Sequence, residues 1–233
     1  MDKLRLGFIF GGRSGEHEVS LMSARSVLAA IDVNKYQVTQ IGITHDGEWL
    51  VGEGLLDAFE KNQLEGLVAA TLLPDPTRKG VFSIHGLRPD ETLTPLQEID
   101  VFFPVLHGTF GEDGTVQGLF EMAGIAYVGA GVLGSSLGMD KGVFKDVMRA
   151  HQIPVVESLI TTRKEIETDL AGVVEKAEQL APYPLFVKPA NLGSSVGITK
   201  CHSASDLIEG LMEAARFDRR VLVERGVDAR EIE

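Results

Sequence analysis

The run PLFVKPANLGSSVGITK at 184–200 carries the strongest chemical signal in the chain. Lys188 ends an apolar strand, Pro189 stops it, and Gly193, Ser194, Ser195 and Gly197 form a flexible loop whose amides and hydroxyls can surround phosphate oxygens. A lysine point charge beside such a loop is an anion site; the structural alternative is a β-hairpin loop with an edge lysine. Upstream, MDKGVFK at 139–145 puts Lys141 in the first turn of a predicted helix, the end at which a cation is disfavoured, with Asp140 as the neighbour that partly compensates. Downstream, VLVERGVDAREIE at 221–233 reads as a strand ending at Glu224, then a turn, then Glu231 and Glu233. Those carboxylates are suited to accept hydrogen bonds on one side of a nucleotide pocket.

Two further segments sit where strands end. In GGRSGEHEVSL at 11–21 a strand closes in glycines and a helix begins, the place where ligands meet the edge of an open α/β sheet. The pattern is neither G-x-G-x-x-G nor a Walker loop. Glu16 is either an acid in a helix's first turn, worth about 0.3–1 kcal/mol against the macrodipole, or a carboxylate that holds a substrate ammonium. His17 reads as surface. HGTFGEDGTVQG at 107–118 follows another strand, and parallel strands place it on the same edge as Glu16. Gly111 and Gly114 are expected to supply positive φ and Asp113 to cap the helix from Thr115, leaving His107 and Glu112 for contact with substrate.

The elements that must position these groups follow from periodicity. Residues 4–10 read as a strand, and Leu21, Ala24, Leu28 and Ile31 recur at helical spacing. Strands at 38–43 and 99–106 complete an alternation that implies a parallel sheet, although Pro104 argues against a fully bonded central position. Residues 52–98 support no functional claim: 55–68 reads as a broken helix, and Pro74, Pro76, Pro89 and Pro95 mark loops. The glycine-rich stretch at 129–138 reads as a crossing between two domains, 1–130 and 131–233. The second holds a helix with Val143, Phe144 and Val147, strands at 184–188 and 220–224, and a helix opened by the box Ser203-x-x-Asp206.

Composition narrows the partners. The chain has 233 residues, 44% hydrophobic and 24% charged, which is ordinary for an α/β globule. A net charge of −12 repels nucleic acid and anionic lipid, so neither is an expected partner. No targeting segment is evident and no stretch approaches the roughly 20 apolar residues of a membrane span. The single cysteine, Cys201, rules out an intrachain disulfide and fits a reducing cytoplasm.

Taken together and in this order, the five segments resemble the D-alanine–D-alanine ligases, an ATP-grasp family, across essentially the whole chain. HGTFGEDGTVQG has the family's H-G-x-x-G-E-D-G pattern followed by Q-G, and VKPANLGSSVG has its nucleotide-loop pattern. The resemblance implies an N-terminal open parallel-sheet domain, Rossmann-like and of the pre-ATP-grasp type, followed by a partial ATP-grasp α+β domain. It implies that Glu16 holds the amino group of the first D-alanine, with His107 near that substrate, and that Lys141 and Lys188 lie on the ATP phosphates. Gly193, Ser194 and Ser195 would cover those phosphates, with Ser194 also tied to Glu16 through a tyrosine of a mobile loop. Glu224 and Glu231 correspond to the adenine and ribose partners, and the backbone around Val227 would pair with adenine.

The same resemblance implies ATP and Mg2+ as cofactors, with no metal ligand inside this chain and the magnesium ligands expected beyond Glu233. About the last third of the family's length is expected there. A cytoplasmic homodimer making D-alanyl-D-alanine for peptidoglycan precursors is the implied setting. A D-alanine–D-lactate ligase, or a nucleotide-binding fragment without activity, are the alternatives that stay open.

Overall fold

The computed structural model describes residues 3–85, 92–193, 195–230 and 232. The chain separates into two compact units, Met1–Ser136 and Leu137–Glu233. In chain order the first unit contains β1 (Leu4–Gly11), α1 (His17–Ala30), β2 (Tyr36–Ile43), β3 (Trp49–Val51), α2 (Leu55–Glu60) and β4 (Val68–Leu72). It continues with β5 (Val81–His85), β6 (Thr92–Gln97), β7 (Val101–Pro104), α3 (Thr115–Ala123), β8 (Ala126–Tyr127) and α4 (Val132–Met139), the last running across the division. The second contains α5 (Lys141–Ala150), β9 (Ser158–Thr162), α6 (Arg163–Thr168), α7 (Leu170–Leu180), β10 (Leu185–Pro189), β11 (Thr199–Cys201), α8 (Ala204–Phe217) and β12 (Arg220–Arg225).

The first unit is built on an eight-stranded sheet in the order β6-β5-β4-β3-β2-β1-β7-β8. Strand alternation decides which residues enter which core. Ile9 and Phe102 face one side, where Val116, Phe120 and Ala123 of α3 cover them. Phe8 and Phe10 face the other, packed with Leu21 and Ala24 of α1 and with Leu55 and Phe59 of α2. Strands β1, β2, β7 and β8 are parallel, as the alternating pattern implies.

Strands β3 to β6 add an antiparallel extension in the segment that periodicity left unread. The helix expected over 55–68 ends at Glu60, and β4 begins at Val68. Pro95 lies inside β6 rather than in a loop, at an edge strand beside a register irregularity where a missing N–H is tolerated. Pro89 falls outside the described residues. Pro104 also has a physical explanation: β7 lies between β1 and β8, but β8 pairs only with Val101 and Phe102 and has ended before the proline.

The second unit is a four-stranded antiparallel sheet, β11-β10-β12-β9. Leu185, Val187, Val221 and Val223 point to a core filled by Ile166 of α6, Val173 and Ala177 of α7, and Leu207, Leu211 and Ala214 of α8. Ser203 caps α8 by accepting from the Asp206 amide at 3.2 Å, as the sequence box predicts. Cys201 is buried in this core, and burial pushes its thiol up to about 11. The stretch 129–138, read as a glycine-rich crossing, is largely helical, since α4 runs through Gly134 and Gly138.

Candidate functional site

In the first unit, parallel pairing of β1 with β7 brings the two strand-end segments together. The Ser14 hydroxyl donates to the His107 carbonyl at 2.7 Å and accepts from the Glu16 amide at 3.1 Å. The approach is so close that a Cβ on Gly108, whose φ is +74°, would lie 2.6 Å from Glu16 Oε2. Only glycine fits there. Glu16 is buried and stands at the N-cap of α1 without capping it through its side chain. His107 is held at Nε2, which lies 3.0 Å from the Ser23 hydroxyl, while its Nδ1 lies 3.9 Å from Glu112 Oε1.

Several local expectations change here. His17 is buried, not surface; its Nδ1 lies 2.8 Å from the Gly12 carbonyl and its ring stacks on His45 at 3.8 Å. Positive φ falls on Gly108, Phe110 and Gly114, whereas Gly111 is small because a Cβ would meet Leu106 at 2.5 Å. Gly114 takes the N-cap position of α3, and Asp113 accepts from the Thr115 amide at 2.9 Å one residue before it. Glu112 turns back on its own loop, accepting from the Gly108 amide at 2.7 Å.

In the second unit the charged groups converge on the sheet face opposite the apolar core. Lys188 alternates with Val187 along β10, an interior strand, so it is no edge lysine even though β10 and β11 do form a hairpin. Its ammonium donates to Glu224 Oε2. Lys145 of α5 approaches the other oxygen, Glu224 Oε1, at 2.7 Å. Burial pushes the Glu224 carboxyl up, but the hydrogen bonds from Lys145 and Lys188 outweigh it and hold the group below the ordinary glutamate range.

Lys141 opens α5. Asp140 is its N-cap, accepting from the Gly142 and Val143 amides at 3.0 Å each, and its other oxygen meets Arg220 Nη1 at 2.6 Å. The cap makes a cation at the first helical position tolerable. The Lys141 ammonium reaches the 190–197 loop and donates to the Leu192 carbonyl. Burial, with the nearby Lys188 charge second, lowers its pKa from the ordinary lysine value. The loop itself is anchored by Asn191, which donates to Asp218 Oδ2 from both its backbone and side-chain nitrogens at 2.8 Å.

Gly193 accepts from the Val196 amide at 3.1 Å, and Ser195 is exposed with φ at +60°. Val227 is exposed beyond the end of β12. Ser194 and Glu231 lie outside the described residues. The structure therefore gathers Glu16 with His107 in one unit, and Lys141, Lys188 and Glu224 with the glycine loop in the other.

Comparison with known proteins decides the family. The model of the D-ala D-ala ligase N-terminus matches residues 5–130, and that of the D-ala D-ala ligase C-terminus matches residues 147–233. The chain belongs to the D-alanine–D-alanine ligase family. The D-alanine–D-alanine ligase of Natranaerobius thermophilus is 48% identical over all of this chain and 62% of its own length. The crystal structure of the VanG D-Ala:D-Ser ligase from Enterococcus faecalis matches with a TM-score of 0.83 at 35% identity, covering 97% of this chain and 64% of that one. The D-alanine–D-alanine ligase structure from Coxiella burnetii gives a TM-score of 0.80 at 30% identity, over 97% of this chain and 62% of that one. The chain thus spans between 62% and 64% of the length of these relatives.

Within this ligase-family chain, sequence reasoning missed Lys145, Asp218 and the Asp140–Arg220 pair. MDKGVFK shows Lys141 and Lys145 four residues apart, on one helix face. That spacing was the available signal. Among the described residues no group of three or more His, Cys, Asp or Glu side chains is placed to hold a metal ion.

Proposed function

We propose that this chain is the amino-acid-binding and nucleotide-binding part of an enzyme that uses ATP to join two D-alanines. In this reading residues 1–130 receive the first D-alanine and residues 131–233 hold the nucleotide. The observation that carries it is the Lys141, Lys188 and Glu224 cluster beside the glycine loop: half-buried ammonium groups next to backbone amides are suited to a polyphosphate, and a fixed carboxylate is suited to a purine amino group. Gly193, Ser194 and Ser195 would supply the loop contacts, Val227 a backbone contact to adenine, and Glu231 the ribose contact. Glu16, buried beside His107, would bind the D-alanine ammonium.

The chemistry proceeds in two displacements. The first D-alanine's carboxylate oxygen attacks the γ-phosphorus, forming D-alanyl phosphate and releasing ADP. The amine of the second D-alanine then attacks the acyl carbon, and phosphate leaves from the tetrahedral intermediate as the amine loses its proton. The first approach brings two anions together, so the lysines lower the barrier by neutralising charge at fixed positions. Mg2+, which this ligase family uses with ATP, would supply further positive charge there when bound; no group among the described residues is assigned to it. The dipeptide would serve peptidoglycan precursor synthesis in the cytoplasm, made by a homodimer. Among the described residues no helix is long and apolar enough to cross a membrane.

Calorimetric titration with ATP and with D-alanine tests the division of labour. Glu16→Gln is expected to weaken D-alanine about 10-fold or more and leave ATP unchanged, while Lys188→Ala does the reverse, each losing a charge-assisted hydrogen bond. Absence of ATP binding, or variants that affect both ligands alike, would overturn the reading. Mass spectrometry of products from mixed D-alanine, D-serine and D-lactate then reads the second substrate directly.

A further inference from the structure

Lys145 stands one helical turn after Lys141 on α5. Its ammonium is enclosed, donating to the Val156 carbonyl at 3.1 Å as well as pairing with Glu224 at 2.7 Å. Its side chain is 13% exposed against 24% for Lys188, the other partner of the same carboxylate. The two lysines are therefore unequal: one is locked by a second acceptor, the other retains contact with water. Resting on the nucleotide reading above, we propose that Lys145 is a positioning residue of the purine pocket. It is the permanent counter-charge of Glu224, freeing Lys188 to turn to a phosphate and keeping the carboxylate an acceptor that selects a 6-amino over a 6-oxo purine.

Charge balance at Glu224 sets the role of Lys145. If Lys188 left Glu224 for a phosphate with no second cation present, a largely buried carboxylate would be stranded, and it would take up a proton instead. A protonated acid can donate to a 6-oxo group; an ionised one can only accept, and so favours the 6-amino group. Among the described residues, the charged groups that face Glu224 are Lys145 from α5, Lys188 from β10 and, further off, Lys141. On the β9 side the residue in register is Ser158, whose hydroxyl accepts from the Arg149 guanidinium of α5 at 2.7 Å, while Glu157 is turned to Arg225 at 3.4 Å. Burial raises the Glu224 carboxyl and the Lys145 and Lys188 bonds lower it, so deleting Lys145 moves it upward.

The test measures dissociation constants for ATP and ITP at about pH 5.5 and about pH 8, in wild type, Lys145→Met and Lys145→Arg. Wild type and the arginine variant should prefer ATP at both pH values. The methionine variant should lose about 10-fold or more of that preference at the acid end and recover part of it at the alkaline end. If it fails to fold by circular dichroism, Lys145→Gln, which keeps a donor and drops the charge, carries the same expectation. A folded Lys145→Met or Lys145→Gln protein with the wild-type ATP to ITP ratio at both pH values would make Lys145 a structural prop and overturn the inference while leaving the nucleotide reading intact. Failure of wild type to bind ATP would overturn both.

Discussion

A carboxylate that accepts from two ammonium groups is held in its charged form by both, and Glu224 is in that position. Its folded value lies below the ordinary 4.5, so the folded state holds the proton less readily than the unfolded chain. The stabilisation is complete above 4.5 and is lost as pH falls through the lower folded value. Glu224→Gln leaves the lysines without their counter-charge, costing at most about 3–5 kcal/mol near neutrality because Lys188 remains partly in water. Denaturant titrations of wild type and variant should show this gap near neutrality and its closure in acid, where the wild-type carboxyl is neutral too. A gap that stayed constant with pH would assign the loss to packing. Lys188 itself was legible because it interrupts an apolar strand. Lys145 was not, since its partner lies far along the chain and nothing in MDKGVFK announces that pairing.

At the scale of elements, α5 depends on how it starts. Asp140 satisfies two backbone amides that would otherwise be orphaned, and pairs with Arg220 of β12. Asp140→Ala should cost about 0.5–2 kcal/mol for the cap, and more for the stranded guanidinium; Asp140→Asn should retain the cap and lose the ion pair alone. Thermal denaturation ranks the three proteins, and equal losses for the two variants would show that the cap contributes nothing. The parallel strands β1 and β7 could be recognised in the sequence because they are apolar runs ending in glycine or proline. The antiparallel extension could not: β3 has three residues, Pro95 sits within β6, and Leu55 to Glu60 is too short for a helical period to stand out. Glycines at 134 and 138 hid α4 for a similar reason, since their cost to a helix is overridden by the surrounding fold.

At the scale of the molecule, separate cores mean separate responses to ligands. A ligand stabilises the unit that binds it by mass action. Amide hydrogen exchange should therefore slow in β10, β12 and α5 when ATP is added, and in β1, β7 and α1 when D-alanine is added. Uniform protection by either ligand would show that the two units open together. The chain also carries its own means of telling them apart. Its single tryptophan, Trp49, lies in β3 and packs against the first unit's core, and the second unit has none. Emission excited at the indole edge is consequently a private signal of residues 1–136: a melt recorded that way is silent on residues 137–233, and a midpoint taken from it belongs to one unit of the chain.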